Sequence, residues 1–269
     1  MTTGAEAAAR GIAEYLAAQR EVVDRALERL LPAADEWPSV LHRAIRHSVF
    51  AGGKRLRPIL CLAAAEVFGA PARDVLEPAC GLEMIHTYSL IHDDLPALDN
   101  DDLRRGVPTC HVVFGEATAI LAGDALAVEA FRLALSYPTP AVARELANAT
   151  LAMIGGQQLD LEGGAELRHL HSLKTGALFN ASVMCALWAG AVPLEEHGPW
   201  RAFAGELGLL FQVVDDMLDG DGFVLEVGED GARRLAEEAA ERAKQRLAEI
   251  DADTDVLASI VDGLAVRTA

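Results

Sequence analysis

The chain has 269 residues, of which 51% are hydrophobic and 5% aromatic, and it carries 41 acidic against 23 basic side chains. Its net charge of −18 argues against nucleic-acid binding, because DNA and RNA phosphates are bound by positively charged surfaces. Phosphate ligands that are bound through metal ions remain compatible with this charge.

Helical periodicity accounts for most of the chain, since Ala, Leu, Glu and Arg are strong helix formers and strand signals are poor. The predicted helices, in chain order, span residues 5–30, 38–50, 56–69, 74–97, 117–135, 140–157, 166–190, 195–219, 231–249 and 253–267. Glycines and prolines mark the breaks between them, and the connections are short. No linker or repeat divides the chain, so the sequence predicts one all-α domain over residues 1–269.

Cysteine usage and hydropathy bear on the compartment. The four cysteines lie far apart without a C-x-x-C pair, which predicts reduced, buried thiols in a cytoplasmic protein: Cys61, Cys80, Cys110 and Cys185. The N-terminal stretch MTTGAEAAARG lacks the basic segment and apolar core of a secretion signal. No run of about 18 apolar residues is present, so we expect no membrane insertion.

Two of the predicted helices end in acidic clusters after an apolar run, SLIHDD at 89–94 and FQVVDDMLD at 211–219. In the second, Asp215 and Asp219 lie one turn apart on one helix face, and Gln212 lies one turn earlier. Like charges at the negative end of a helix dipole are destabilising unless a cation binds there. Oxygen ligands suit Mg²⁺, although one such cluster alone is equally well a solvated helix end.

The first acidic cluster is interrupted by a proline. Asp93 and Asp94 are followed by Pro96, which should break or kink the helix before Asp99. Helical spacing therefore does not decide where Asp99 points. The Arg104-Arg105 pair closes this stretch, so fixed positive charge follows directly behind the negative charge.

Positive charge is sparse elsewhere, so its placement is informative. The stretch GGKRLRP at 52–58 places three cations after a flexible glycine pair, whose backbone amides can approach an anion. His86 precedes Asp93 by seven residues and therefore shares its helix face. A lone helical histidine is more often a core or surface residue, and Lys174 in an apolar helix can simply extend its amine to water. Neither signal is specific alone.

The order of the motifs is specific. GGKRLRP, HTYSLIHDDLPALDNDDLRRG, GGQQLD, HSLKTGALF and FQVVDDMLD together resemble the trans-isoprenyl diphosphate synthase family, most closely its short-chain farnesyl diphosphate synthase branch, over residues 40–219. The resemblance implies an all-α homodimer in which a single-domain helical bundle surrounds a deep central cavity. It also implies condensation of isopentenyl diphosphate with an allylic diphosphate, dimethylallyl or geranyl, at two aspartate motifs.

The resemblance also implies roles for individual residues. Six aspartates match those that hold three Mg²⁺ ions: Asp93, Asp94, Asp99, Asp215, Asp216 and Asp219. Four residues match those that hold isopentenyl diphosphate: Lys54, Arg57, His86 and Arg105. Four match those around the allylic substrate: Arg104, Lys174, Thr175 and Gln212. The metals would stabilise the leaving diphosphate, an apolar cavity would keep water from the carbocation, and the diphosphate itself would take the final proton.

Product length in this family follows the depth of the cavity beneath the first aspartate motif, where this chain has Tyr88 and Ser89. The Tyr88 ring, about 7.5 Å along the helix axis from Asp93, would close the pocket after a short chain. We therefore expect mainly farnesyl diphosphate, a C15 product. If Tyr88 instead packs into a neighbouring helix, a deeper residue sets the limit. The alternative products are geranylgeranyl or geranyl diphosphate.

The resemblance ends after Asp219. The family continues with a loop of the form G-K-x-x-G-K-D followed by K-T-Y-P, which closes over the diphosphates. Here the segment 220–230 is atypically short and leads almost directly into an amphipathic helix. Arg233 and Arg234 could replace the missing lysines, but their spacing fits a solvated helix face equally well.

Two other functions are compatible with parts of this pattern. A non-catalytic partner subunit of a prenyl synthase would tolerate loss of the aspartates, yet all six are present. A class I terpene cyclase would lack the isopentenyl-binding set, and it usually carries N/D-x-x-x-S/T-x-x-x-E in place of the second D-D-x-x-D. GGKRLRP and His86 argue against the cyclase.

Overall fold

The computed structural model describes residues 4–266, with side chains from residue 11 onward. Within this range the chain is mainly helical with almost no sheet, which confirms the all-α prediction. The helices are α1 (Gly4–Leu30), α2 (Ser39–Val49), α3 (Leu56–Val67), α4 (Ala72–Asp93), α5 (Cys110–Phe114), α6 (Glu116–Ala134), α7 (Ala141–Glu162), α8 (Leu167–His171), α9 (Ala177–Ala189), α10 (His197–Asp219), α11 (Gly222–Val227), α12 (Glu229–Leu247) and α13 (Asp255–Ala265). The prediction that the last helix reaches residue 267 extends beyond the described residues.

The first aspartate motif lies at a helix end. The helix predicted to run to residue 97 stops at Asp93, because the chain turns before Pro96. In this turn the amide of Asp99 donates a 2.8 Å hydrogen bond to the carbonyl of Asp93, and the amide of Asn100 bonds to the carbonyl of Leu95. The turn brings Asp99 back beside Asp93.

Three other boundaries differ from the sequence-based prediction. Helix α7 continues through the GGQQLD stretch to Glu162 rather than ending at residue 157. The helix predicted over 166–190 is divided into α8, a π-helical turn at Ser172–Gly176, and α9. The segment 220–230 contains a helix of its own, α11. This helix has only six residues and is too short for hydrophobic periodicity to reveal it.

A small hairpin and a short helix were also not predicted. Two-residue strands β1 (Leu103–Arg104) and β2 (Val107–Pro108) pair antiparallel, with Arg104 opposite Val107. Helix α5 follows directly at Cys110. Both elements are shorter than the window over which hydrophobic periodicity can be read.

Helices α3, α4 and α9 occupy the centre of the molecule. Every residue of α3 from Pro58 to Ala65 is buried, as is every residue of α9 from Ala181 to Leu187. A helix that is apolar all round must be covered on all sides, and here α4 and α9 pack on α3, while α6 covers α4 and α7 and α10 cover α9. The aspartate motifs lie at the ends of α4 and α10.

The burial of the cysteines agrees with the sequence-based prediction. Cys61, Cys80, Cys110 and Cys185 are all buried and unpaired as thiols. Between residues 4 and 266 no helix is both long enough and apolar enough to cross a lipid bilayer.

Candidate active site

A cavity of about 1280 Å³ opens between α4, α7, α10, the loop before α3 and the hairpin. It brings together most of the residues that the sequence nominated: Lys54, Arg57, His86, Tyr88, Ser89, Asp93, Asp99, Arg104, Arg105, Lys174, Thr175, Gln212, Asp215 and Asp216. Two nominated aspartates are not among the lining side chains. Asp94 is buried behind the wall, and Asp219 is exposed at the last residue of α10.

The charge of this cavity differs from that of the whole chain. Among the described side chains that line it, seven are acidic and seven are basic, although the chain as a whole carries 41 acidic and 23 basic residues. Nearly a third of all Lys and Arg residues therefore face one cavity. Such a concentration favours a polyanionic ligand that is bound partly by cationic side chains and partly by cations held on carboxylates.

Arg55 anchors the loop that carries the nominated cations. Its backbone is left-handed, with φ of 50°, and its buried guanidinium donates 2.8 Å hydrogen bonds to Asp24 and Glu83 and a 2.6 Å bond to the carbonyl of Val49. Burial alone would lower the pKa of Arg55, but Glu83 and then Asp24 outweigh it and raise that pKa. Arg55 thus joins α1, α2 and α4 and leaves neighbouring Lys54 at the cavity wall.

Arg57 is a half-buried cation with one buried, unsatisfied donor atom. Its guanidinium carbon lies 5.1 Å from the ring centre of Phe179 and 6.0 Å from that of Phe211. Its buried Nε has no hydrogen-bond partner among the described residues. Burial lowers the pKa of Arg57 to about 10, so the side chain is still protonated at neutral pH. A buried charged donor without a partner is costly unless an anion binds there.

His86 lies among these cations. Burial, and then the charges of Arg57 and Arg105, hold the pKa of His86 well below its usual range. The imidazole is therefore neutral at physiological pH, with one nitrogen as donor and the other as acceptor.

The hairpin presents Arg104 and Arg105. Arg105 and Gly106 both have positive φ, 55° and 77°, as a two-residue type I′ turn requires. The Arg105 guanidinium donates to the carbonyl of Gly52. It also covers Gly53, where an added Cβ would lie 2.5 Å from Nη1 of Arg105. The absence of a side chain at Gly53 thus allows an arginine from the hairpin to lie against the loop.

The first aspartate motif contains two carboxylates in different environments. Burial raises the pKa of Asp93 to about 6, with Asp99 adding to the increase and Lys174 opposing it. Asp94 instead accepts a 2.5 Å hydrogen bond from Nε of Arg104, which also bonds to Asp101. Asp93 and Asp99 therefore face the cavity, while Asp94 orients an arginine that faces it.

In the second motif, too, one aspartate faces the cavity and its neighbour binds groups of the protein. Asp215 lines the cavity, and burial followed by the charge of Asp219 raises its pKa. Asp216 is buried and accepts a 2.6 Å hydrogen bond from Nε2 of Gln212 and a 2.8 Å bond from the amide of Phe223. Gln212 in turn accepts a 2.7 Å bond from the hydroxyl of Thr175.

The donor set fits Mg²⁺ that is shared with a ligand. Among the described residues, no three His, Cys, Asp or Glu side chains converge closely enough to hold an ion by themselves. Mg²⁺ in enzymes usually takes one or two carboxylates and completes its octahedron with water and phosphate oxygens. Asp93, Asp99 and Asp215 offer oxygen donors at the cavity, and the raised pKa values of Asp93 and Asp215 indicate negative charge that is poorly compensated.

The comparison with known proteins decides the family. Residues 38–231 match the polyprenyl synthetase family. This chain belongs to the polyprenyl synthetases. It is 34% identical to farnesyl diphosphate synthase from Bacillus subtilis, across 95% of this chain and 98% of that protein. It is 43% identical to geranylgeranyl pyrophosphate synthase 4 from Arabidopsis thaliana across 76% of this chain, and spans 59% of that relative's length.

A solved structure agrees with this assignment. Geranyltransferase from Legionella pneumophila superposes with a TM-score of 0.88 at 32% identity, covering 97% of this chain and 98% of that one. The likeness therefore extends over nearly the whole chain.

In this polyprenyl synthetase, the segment after the second motif folds against Asp216. Gly222 has φ of 45°, and an added Cβ there would collide with the Asp216 carboxylate. Asp221 lines the cavity beside it, a residue that the sequence did not single out. Arg233 and Arg234 lie on the exposed face of α12, and neither is among the residues that line the cavity.

The π-helical turn positions Lys174. Its close approach to α7 depends on Gly156, to which the sequence analysis assigned no role. An added Cβ at Gly156 would lie 2.6 Å from the backbone nitrogen of Lys174, so GGQQLD allows the turn to approach α7. Nζ of Lys174 donates a 2.6 Å hydrogen bond to Asp160. Gln157 also lines the cavity, with a buried Oε1 that has no partner among the described residues. The GGQQLD motif contains both Gly156 and Gln157, but its residue spacing did not indicate that these residues contact the Lys174 turn or the cavity.

Proposed function

We propose that this chain is a short-chain trans-prenyltransferase, which condenses isopentenyl diphosphate with dimethylallyl or geranyl diphosphate. The observation that carries the proposal is one cavity in which Arg57, with its buried and unpartnered Nε, and neutral His86 lie together with the carboxylates of Asp93 and Asp215. This arrangement suits two diphosphates, one bound by cationic side chains and one bound through metal ions. The B. subtilis relative carries the name of such an enzyme.

In this proposal the chain's own residues bind and orient the two diphosphates and exclude water from the reacting carbons. Lys54, Arg57 and Arg105 hold isopentenyl diphosphate through charge-assisted hydrogen bonds, and neutral His86 donates one more. Arg104 and Lys174 hold the allylic diphosphate, each oriented by a carboxylate behind it.

The reaction then proceeds through an allylic cation. As the C–O bond breaks, negative charge grows on the departing diphosphate, where the fixed charges of Arg104 and Lys174 stabilise it. The double bond of isopentenyl diphosphate attacks the cation, and the released diphosphate accepts the proton that is lost. The half-buried ring of Phe211 at the cavity wall, backed by the buried ring of Phe179, limits access of water to the cation.

Mg²⁺ is the expected cofactor, with three ions when substrate is bound. Asp93, Asp99 and Asp215 would hold it, and the bound ions would neutralise the allylic diphosphate and favour its departure. Asp94, Asp216 and Asp219 complete the proposed set. Asp94 and Asp216 would act mainly by orienting Arg104 and the chain after α10, because their carboxylates already bind those groups.

We propose farnesyl diphosphate as the main product. Tyr88 is buried and lines the cavity one helical turn and a half before Asp93, as the floor of a C15 pocket requires. Ser89, the other nominated residue, turns its hydroxyl to the carbonyl of His86 and leaves little bulk in the cavity. Geranylgeranyl diphosphate is the second candidate, because the more identical Arabidopsis relative is named for that product.

A homodimer is proposed from an exposed apolar surface. Ile120, Leu121 and Val128 are exposed on α6, and Leu151 is exposed on α7. Exposed apolar side chains on neighbouring helices of this kind are typical of an interface between two copies. Light scattering after gel filtration should give twice the chain mass.

The four free thiols support a cytoplasmic location.

The experiment that tests the function is incorporation of radiolabelled isopentenyl diphosphate. Purified protein is incubated with dimethylallyl or geranyl diphosphate and Mg²⁺, and the product is extracted, dephosphorylated and sized. We expect a labelled C15 alcohol, no reaction in EDTA, and recovery when Mg²⁺ is restored. Full activity in EDTA contradicts the metal proposal. A labelled C20 alcohol supports the geranylgeranyl candidate, and no incorporation with either primer supports a non-catalytic partner.

A further inference from the structure

The ring of Tyr88 is in contact with a second aromatic ring from the same helix. His92 lies one turn further along α4, and the two ring centres are 5.5 Å apart at an interplanar angle of 88°. Both side chains line the cavity. This edge-to-face geometry is the favoured arrangement of two aromatic rings, so the orientation of one restricts the other.

His92 is itself held by α6. Its Nε2 is 3.1 Å from the carbonyl of Ile120 and 3.9 Å from Oδ1 of Asp124. The imidazole lies directly on Gly123, where an added Cβ would overlap the ring. Gly123 therefore provides the space for the imidazole, and the Ile120 carbonyl fixes its orientation.

We propose that His92, seated on Gly123, is a positioning residue that holds the Tyr88 ring across the cavity and thereby limits product length. The proposal rests on the prenyltransferase function proposed above and on Tyr88 as the floor. It adds that the floor is a layered contact, from α6 through His92 to Tyr88, rather than a single side chain. Loss of the His92 imidazole lets the Tyr88 ring rotate towards α6 and deepens the pocket.

The geometry explains why His92 suits this position. The residue at this position must reach from α4 to α6 and place a ring against Tyr88. Its polar ring nitrogen is half-buried and must also form a hydrogen bond. An imidazole does all three, because one nitrogen bonds to the Ile120 carbonyl while the ring edge or face contacts Tyr88. Gly123 itself is buried behind the ring and is not among the lining residues, so it can act on the cavity only through His92.

The test compares the ratio of C20 to C15 product in a set of variants. Gly123→Ala pushes the imidazole off α6 without adding an atom to the cavity wall, and His92→Ala removes it. We expect each to raise the C20:C15 ratio at least fivefold, with Tyr88→Ala giving the largest shift. Gly205→Ala is the matched control, since that helical glycine has open space around it and lies outside the cavity. It should keep the wild-type ratio.

A double variant tests whether Gly123 acts through His92. In Gly123→Ala/His92→Ala the added methyl meets no imidazole, so the ratio should equal that of His92→Ala alone. Ratios within twofold of wild type in both single variants overturn the proposal, and so does a double variant whose shift is the product of the two single shifts. If Gly123→Ala fails to fold, the double variant should fold again; if it also fails, the proposed contact is wrong.

The outcomes separate this proposal from the function on which it rests. A wild-type protein that incorporates no label refutes the function. A wild type that makes mainly C20 refutes Tyr88 as the floor, and the layered contact with it. A wild type that makes C15, with unchanged ratios in the His92 and Gly123 variants, refutes the role of His92 alone. Light scattering on each variant excludes a change of assembly, because Ile120 and Asp124 are exposed on the same helix.

Discussion

The carboxylate of Asp216 accepts a 2.8 Å hydrogen bond from the backbone amide of Phe223, in the first turn of the short helix after the second aspartate motif. The same carboxylate also accepts a bond from Gln212, and Phe223 packs beside the ring of His171 at a centre distance of 5.5 Å. One residue of a proposed metal motif therefore anchors the shortened segment that replaces the family's closing loop.

The two adjacent aspartates of this motif should consequently behave differently. Asp216→Ala leaves the buried amide of Phe223 and the amide of Gln212 unsatisfied, which should lower the free energy of unfolding by about 1–3 kcal/mol. Asp215→Ala removes a carboxylate that faces the cavity, so it should lower kcat by orders of magnitude without loss of stability. Urea denaturation and single-turnover kinetics measure the two effects. Equal stability of the two variants contradicts the anchoring role.

The raised pKa of Asp93 predicts a conflict between activity and stability. Because its folded pKa of about 6 exceeds the ordinary value of 3.8, the folded protein binds more protons than the unfolded chain between these pH values. The free energy of unfolding therefore falls as pH rises from about 4 to 6 and stays reduced above it. One pKa unit corresponds to about 1.4 kcal/mol, so the cost at neutral pH is at most about 3 kcal/mol.

Asp93→Asn removes that cost together with the proposed metal ligand. Without metal, the variant should unfold at a higher temperature than wild type at pH 7, and the difference should vanish near pH 4. Its condensation rate should nevertheless fall by orders of magnitude. Calorimetry in EDTA at a series of pH values measures the first effect. A variant less stable than wild type at pH 7 would show that Asp93 is well compensated in the folded protein.

Two adjacent glycines of GGQQLD provide a matched pair of variants. Gly156→Ala places a methyl 2.6 Å from the backbone nitrogen of Lys174 and should displace the π-helical turn. We expect the KM for the allylic diphosphate to rise, or kcat to fall, by at least tenfold. Gly155→Ala meets no atom within 4 Å and should leave the kinetics unchanged, with a small gain in stability from helix propensity. Similar kinetics for the two variants contradict this role of Gly156.

The exposed position of Arg233 and Arg234 on α12 predicts that they do not replace the family's loop lysines. Their joint replacement by Ala should change the allylic KM and kcat by less than about twofold, since exposed ion pairs contribute little. Lys174→Ala, at the cavity wall, serves as the positive control with an expected loss of at least tenfold. A tenfold effect of the double variant would instead place both arginines over the substrate during turnover.

The sequence by itself determined the family, the all-α class and most of the charged residues that line the cavity. This information is local: helical periodicity repeats within a few residues, and each motif keeps its chemistry within one short stretch. Lys54, Asp93 and Asp215, which are far apart in the chain, could be assigned together because the order of the motifs resembles a known family.

Only the tertiary structure decided which members of each motif face the cavity and what holds them there. Periodicity could not show that Asp94 turns to Arg104, that Asp216 binds the amide of Phe223, or that Arg55 joins Asp24 and Glu83. In each case the partner of a buried charge is chosen by how helices and turns pack against one another, and burial makes that choice strict because an unpaired charge is costly. Sequence spacing within one helix contains no record of that packing.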